Sequence, residues 1–174
     1  MLLTWVVDVQ LVHCHMFNGL DGDGAFAPTR SGAVPVGDLI RLCYSGKYAT
    51  VDDMMKRAVG DAGIAAYLGT ADMREVNKMI ENGDENAKLV KEAFIYQHAK
   101  DIGSLSVVMK GKVDAILLTG GIAYGKDITD AIASYTEWIA PVVVIPGERE
   151  MIALAQGALR VLNGEEEAKE YEAW

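Results

Sequence analysis

The sequence predicts an α/β domain, and three features of the chain lead to that prediction. Residues 113–119 form an apolar run followed by Gly120 and Gly121, as expected for a buried strand that ends in a tight turn. A second short apolar run at residues 142–145 is flanked by helical patterns, so the last section reads helix, strand, helix, strand, helix. That order favours a parallel pair of strands joined by crossover connections.

The composition fits one globular domain. Its 174 residues and 51% apolar content are enough for a sizeable core. A net charge of −9 argues against a nucleic acid partner, because phosphate binding needs clustered Lys and Arg. The apolar opening segment lacks a basic start, contains Asp8 and is too short to span a bilayer, so we expect no export signal and no membrane partner. Cys14 and Cys43 are too few for a disulfide framework, which favours the reducing cytoplasm.

The first part of the chain combines a strand pattern with a long polar loop. An opening strand is predicted by the alternating apolar residues Trp5, Val7, Val9 and Leu11. The His-Cys-His triplet at residues 13–15 suggests a metal site, but alternation places the cysteine on the face opposite the histidines and no second pair with ligand spacing follows. We therefore assign no metal to it. Residues 18–32 have no regular period and form a long loop rich in Gly and Asp.

Helices are predicted wherever capping residues precede an apolar pattern with helical spacing. Thr50, Thr70 and Asp127 are expected to be N-caps of three of them. The predicted helices cover residues 36–45, 50–59, 71–81, 84–109, 127–138 and 148–163.

The longest predicted helix, at residues 84–109, carries an apolar stripe that we expect to face the core. His98 lies off that stripe, so we expect a surface or partner-facing imidazole there. The stripe consists of Leu89, Ala93, Tyr96, Ala99, Gly103 and Val107.

The segment LLTGGIAYGKD at residues 117–127 comes within one residue of a P-loop. A P-loop needs Ser or Thr directly after its Lys, because that hydroxyl binds the Mg²⁺ that bridges the phosphates. Asp127 stands in that place and would add negative charge beside the phosphates. With the P-loop rejected, two interpretations remain. Gly120 and Gly121 either let the backbone approach a ligand at the end of a strand or only form a tight turn.

The loop at residues 21–32 is the densest in chemical groups. It contains two carboxylates, several glycines and the cation Arg30. Phosphoryl transfer needs such a set, because the barrier falls mainly through positioning and charge neutralisation, and a planar guanidinium matches a phosphate edge. Its G-x-G-x-x-A match to a dinucleotide fingerprint is rejected, because Pro28 breaks the strand–turn–helix context. The alternative is an Asp-Gly turn with a surface arginine.

Five stretches of residues 18–172 carry a family resemblance: DGDGAFAPTRSGAVPVGDLIRLCYSGKY, AAYLGTADMREV, KVDAILLTGGIAYGKD, APVVVIPGEREMIALAQGALRVL and GEEEAKEY. Together they resemble the butyrate kinases, which are relatives of the acetate kinases. The resemblance implies the fold of the actin-like ATPase superfamily, in which two ribonuclease-H-like lobes close over ATP. This chain would be most of the C-terminal lobe, an α/β lobe with a mixed sheet flanked by helices and without its first strands.

The resemblance also implies roles for particular residues. Arg30 would lie beside the transferred phosphoryl group, and Asp21, Asp23 and Gly24 would contact nucleotide or substrate in the adjoining loop. Glu148 or Glu150 would correspond to a carboxylate near the metal, with a merely charged helix start as the alternative. The nucleoside would be bound by Thr119, Gly120, Gly121, Ile122 and Ala123.

The implied reaction transfers phosphate between ATP and a short-chain carboxylate with Mg²⁺, giving ADP and an acyl phosphate. We expect an atypical segment at residues 1–17, the nucleotide-binding lobe at residues 18–164 and an acidic tail at residues 165–174. The N-terminal lobe of the family and its phosphate loop are not in this sequence, so we expect half of the site and no activity from the chain alone. The alternative is a non-catalytic module that forms homo-oligomers through this lobe.

Overall fold

The computed structural model describes residues 3–7, 24–147 and 150–168. The strands are Leu3–Val7 (β1), Ala115–Gly120 (β2) and Val142–Pro146 (β3), and Gly121–Tyr124 forms a 3₁₀ turn. The helices are Val36–Cys43 (α1), Val51–Ala58 (α2), Gly63–Leu68 (α3), Met73–Glu81 (α4), Glu85–Val108 (α5), Lys126–Thr136 (α6) and Glu150–Leu162 (α7).

The described strands form one mixed sheet in the order β1-β2-β3. Strands β2 and β3 run parallel, with Ile116 opposite Val142, and α6 makes the crossover between them. Strand β1 pairs antiparallel with the other edge of β2. The predicted α/β class, the parallel pair and the opening strand are therefore confirmed, except that the predicted strand residues Val9 and Leu11 lie outside the described residues.

The core lies between one face of the sheet and helices α5 and α6. Alternate residues of β2 are buried, as the period of a strand with one covered face requires. The largest fully buried side chains include Phe94 and Ile102 of α5, Ile116 and Leu118 of β2, and Ile128 and Ile132 of α6. This packing fixes the carboxyl end of β2 relative to α4, α5 and α6.

Our prediction of which face of α5 is buried is wrong, although Ala99 of the predicted stripe is buried at 7% exposure. Leu89, Tyr96 and Val107 of that stripe are 64%, 57% and 75% exposed, whereas Phe94, outside it, is fully buried. Both faces of this helix carry apolar side chains, so the spacing alone does not show which one packs on the sheet.

The prediction of an exposed His98 is wrong as well. His98 is only 7% exposed, its Nδ1 lies 2.8 Å from the carbonyl oxygen of Phe94, and the two rings are 4.1 Å apart. Burial lowers the pKa of His98, because the charged imidazolium is costly away from water. The ring is thus a neutral part of the core at ordinary pH.

The helix starts agree only in part with the predicted caps. Thr50 does cap α2, accepting a hydrogen bond from the backbone N–H of Asp53 at 3.1 Å. Thr70 is not the cap of α4, because Asp72 accepts from the N–H of Arg74 and the helix begins at Met73. Asp127 is not the cap of α6 either, since Gly125 precedes its first residue. The six-residue helix α3 was not predicted.

In the described part of the chain, no helix combines the length and apolar character needed to cross a membrane.

Candidate functional site

Backbone hydrogen bonds between two glycines join the carboxyl end of β2 to the residue directly after β3. Gly120 has φ +90° and exchanges two backbone hydrogen bonds with Gly147, at 3.2 and 3.1 Å. The hydroxyl of Thr119 donates a long bond to the carbonyl of Gly147 at 3.4 Å. Because φ is positive at Gly120, the chain turns away from the sheet directly after the strand. This turn begins the 3₁₀ segment that follows.

A cleft of about 840 Å³ opens at this turn. Its volume lies within the usual range for small-molecule sites, and it sits where ligands of α/β sheets bind. One wall comes from the 3₁₀ turn and the start of α6, the other from the start of α4, with Pro28 between them. The lining residues are Pro28, Ala71, Asp72, Met73, Arg74, Asn77, Gly121, Ile122, Tyr124, Gly125, Asp127 and Ile128.

The residues predicted to bind the nucleoside fall into two groups. Gly121 and Ile122 line the cleft, and an added Cβ at Gly121 would meet no heavy atom within 4 Å. Thr119 and Gly120 instead shape the turn through their bonds to Gly147, and Ala123 is buried at 3% exposure. The backbone at Gly121 is therefore open to a ligand, as the first of the two interpretations requires.

The start of α4 brings a close ion pair to the cleft. Arg74 donates two bonds from Nε to the carboxylate of Asp72 and one from Nη2 at 2.5 Å. The side-chain bonds from Arg74, with the backbone N–H of the same residue, lower the pKa of Asp72 to about 2. Sequence reasoning missed this wall. The local sequence pattern indicates where α4 starts. That this start faces the turn at Gly121, some fifty residues later in the chain, depends on how the helices pack.

A second polar cluster connects three helices at the wall of the cleft. Lys91 of α5 donates to the Oδ1 of Asn77 at 2.7 Å and forms a short ion pair with Asp127. The side chain of Lys91 is only 15% exposed. Burial alone would raise the pKa of Asp127, but the hydrogen bond and charge of Lys91 outweigh burial and hold that pKa below its ordinary value.

Replacing Lys91 by methionine is expected to lower the free energy of unfolding by about 1–2 kcal/mol near pH 7, because Asp127 and Asn77 lose their shared donor. Asp127 has a lowered folded-state pKa, so its contribution is complete above the ordinary value of 3.8 and is lost as the pH falls through the folded-state pKa. Urea unfolding of parent and variant near pH 6 and near pH 3 should show the difference shrinking in acid. The same difference at both pH values would contradict this role.

Arg30 lies on a loop that the structure holds firmly. We call residues 24–33 the Arg30 loop. The backbone of Arg30 forms an isolated antiparallel bridge with Val59, just after α2. Its side chain is half-buried, and among the described residues the guanidinium has no hydrogen-bond or ion-pair partner. Pro28 of this loop and the turn at Gly121 border the same cleft, whereas Arg30 is not one of its lining residues.

The other predicted site residues are placed only in part. Asp21, Asp23 and Glu148 lie outside the described residues. Gly24 begins the Arg30 loop with φ +75°, and its carbonyl accepts from the N–H of Ala33 at 2.8 Å. Glu150 begins α7. Within the described ranges, no group of three His, Cys, Asp or Glu side chains is placed to hold a metal ion.

The sequence pattern of the Acetokinase family matches residues 19–134. This chain belongs to that family, which confirms the resemblance seen in the sequence. Butyrate kinase 2 of Clostridium acetobutylicum is 55% identical to it over 154 residues, which are 88% of this chain and 43% of that protein. The chain therefore spans less than half the length of that relative.

Two solved structures show the same fold. The acetate kinase of Porphyromonas gingivalis superposes with a TM-score of 0.72 at 22% identity, over 80% of this chain and 41% of that one. A propionate kinase from Francisella tularensis gives a TM-score of 0.61 at 26% identity, over 76% of this chain and 39% of that one. The predicted fold of an acetate kinase lobe is thereby confirmed.

Proposed function

We propose that this chain is the nucleotide-binding lobe of a carboxylate kinase that transfers phosphate reversibly between ATP and a short-chain carboxylate. Family membership and the identity to a butyrate kinase support this class and favour butyrate as the acceptor. Residues 18–164 would form the lobe and residues 165–174 an acidic tail. The protein would act in the cytoplasm. The observation that carries the proposal is the open cleft at Gly121.

The cleft suits the adenosine part of ATP. Gly121 leaves the backbone bare, so a flat base can approach it without meeting a side chain. Ile122 and Met73 give apolar contact on either side, and Tyr124 adds an exposed ring at the rim. A site of this kind binds mainly through apolar area and is oriented by a few polar groups, here Asn77 and the Asp72–Arg74 pair.

The chemistry proposed for the complete kinase is a direct in-line transfer. A carboxylate oxygen of the substrate attacks the γ-phosphorus, forming the new P–O bond as the bond to the bridging oxygen breaks and its electrons pass to ADP. No covalent enzyme intermediate is needed. Arg30 would stabilise the charge on the equatorial oxygens, since a guanidinium donates two parallel hydrogen bonds to a phosphate edge.

The divalent metal of the reaction would neutralise phosphate charge when bound. We propose that Glu148 is the candidate protein contact to the metal within this chain, with Glu150, whose backbone begins α7, as the alternative.

Gly121→Val is expected to weaken ADP or ATP binding about tenfold or more, because the new side chain would occupy the open space that the nucleoside needs. Calorimetric titration of parent and variant measures this loss. Gly103→Val is the matched control, since an added Cβ there also meets nothing within 4 Å but lies on α5, outside the cleft lining. Equal heats for parent and Gly121→Val, or no heat for either, would remove the nucleotide from this cleft.

A second candidate function is a non-catalytic assembly module. One observation favours it: α5 exposes Leu89, Tyr96 and Val107, and exposed apolar side chains that are grouped on a surface mark protein contacts. A second copy of the chain would cover these side chains in a homo-oligomer. The calorimetric titration separates the two functions, because an assembly module alone would give no heat with adenine nucleotide.

A further inference from the structure

Two polar side chains of α5 reach out of the core to the Arg30 loop. The carboxylate Oδ2 of Asp101 accepts the backbone N–H of Ala25 at 2.6 Å, and the amide Oε1 of Gln97 accepts that of Phe26 at 3.3 Å. Ala25 and Phe26 are 3% and 6% exposed, so water cannot readily replace either acceptor. Loss of an acceptor would therefore leave a buried N–H without that partner, which is costly.

We call residues 29–31 the far side of the Arg30 loop and residues 25–28 its near side. The far side is fixed by backbone hydrogen bonds of the residues directly before and after Arg30. Ser31 donates its N–H to the carbonyl of Ala58 at 2.9 Å, and the carbonyl of Thr29 accepts from Gly60 at 2.8 Å. The near side has no strand or helix of its own and is held by backbone bonds from the start of α3 as well as by the two side chains of α5. Arg30 thus lies between the end of α2 on one side and α3 and α5 on the other.

Apolar packing alone would not set the direction of the backbone on the near side of the Arg30 loop. Phe26 packs edge-on against Phe94 at 5.8 Å between ring centroids, which fixes where its side chain lies. Dispersion and apolar burial depend little on angle, whereas a hydrogen bond to a charged acceptor is directional and stronger than a neutral one. Asp101 and Gln97 accept from successive N–H groups, so they orient two successive peptide planes, the one before Ala25 and the one between Ala25 and Phe26.

We propose that Asp101, assisted by Gln97, is a positioning residue for Arg30: it holds the near side of the Arg30 loop so that the guanidinium meets the transferred phosphoryl group. This inference rests on the proposed function. Asp101 touches neither nucleotide nor substrate and acts only through the backbone of the loop. Its effect should fall mainly on the chemical step, because among the described residues the loop supplies only Pro28 to the lining of the adenosine cleft.

The test uses the chain completed with the N-terminal lobe of the Clostridium butyrate kinase. Asp101→Ala is expected to lower kcat for butyryl phosphate formation by about 10- to 100-fold, since misplacement of a reacting group by about 1 Å costs that much. KM for ATP should stay within about twofold. Asp101→Asn should restore kcat to within about threefold of the parent, because its amide oxygen still accepts the N–H of Ala25.

Two further measurements separate positioning from folding. The N–H of Ala25 should exchange with solvent faster in Asp101→Ala than in the parent, and Asp38→Ala, on the exposed carboxylate of α1, should change neither exchange nor kcat. Parent-like kcat in Asp101→Ala, equal losses in the Ala and Asn variants, or a rise in KM alone would each overturn the positioning role. An inactive parent would instead overturn the proposed function, and the inference with it.

Discussion

Replacing Arg30 by alanine in the completed two-lobed enzyme is expected to lower the rate of acyl phosphate formation about 10³-fold, or roughly 4 kcal/mol of transition-state stabilisation. Arg30 is the one cation of the Arg30 loop, and no Walker-type lysine shares the charge that develops on the phosphoryl oxygens. Arg30→Lys should recover only part of the rate, because an ammonium cannot make the planar two-point contact of a guanidinium. A coupled assay of acyl phosphate measures all three enzymes.

Arg41→Ala is the matched control for Arg30. Its side chain is 79% exposed and, among the described residues, pairs only with Asp38 in the same helix, so its loss should change the rate by less than about twofold. The 174-residue chain without a second lobe should show no turnover. An Arg30→Ala rate within a few-fold of the parent would end its catalytic role, and robust turnover by the chain alone would show that the site needs no second lobe.

Gly63→Ala is expected to destabilise the chain by about 3–5 kcal/mol, which lowers the melting temperature by roughly 6–20 °C or prevents folding. Gly63 has φ +60°, and a Cβ there would lie 1.8 Å from the carbonyl oxygen of Ala27 and 2.6 Å from that of Arg30. Both obstacles are backbone atoms of the Arg30 loop, so the strain cannot relax by rotation of a side chain. The loss should be visible in thermal melting followed by circular dichroism.

Gly103→Ala is the same substitution at a position where we expect it to stabilise the chain. Gly103 lies inside α5, and a Cβ there meets nothing within 4 Å. Removing a helical glycine should stabilise the chain by about 0.5–1 kcal/mol. A Gly63→Ala melting curve equal to that of the parent would show that the close approach of α3 to the Arg30 loop is not maintained in solution.

Local sequence patterns gave the elements that position the cleft. The strand ending at Gly120, the parallel partner β3 and the helix between them follow from apolar runs bounded by Gly and by capping residues. The bounds of α5 were also close, because Asp84 is a true N-cap whose side chain accepts from Ala87. Each of these features depends on residues near one another in the chain.

The wrong predictions concern features for which local sequence patterns fit two outcomes equally well, so that tertiary packing decides between them. Helix α5 has two apolar faces, so its buried side, and with it the burial of His98, depends on where the sheet and α6 lie. Thr70 and Asp72 are both good cap residues, and the structure uses Asp72. Helix α3 has six residues and starts with Gly63, which gives no helical signal that composition can detect.

The site was predictable in parts but not as a unit. Gly121 and Ile122 could be found from the strand–turn–helix context and the family resemblance, and Arg30 from the chemistry of its loop. The wall formed by Asp72, Arg74 and Asn77 could not, because it comes from a helix that local pattern leaves unconnected to the turn. The placement of these groups together rests on α5, which packs against both α4 and α6.

The most direct test of the account is where adenine nucleotide binds on this chain. Heteronuclear NMR of the labelled protein, titrated with ADP, reports each backbone N–H separately. We predict that the largest shifts fall on Gly121, Ile122 and Gly125 and, across the cleft, on Met73 and Arg74. Shifts confined to helices remote from the cleft, or none at saturating ADP, would contradict the proposal that this lobe holds the nucleotide of a carboxylate kinase.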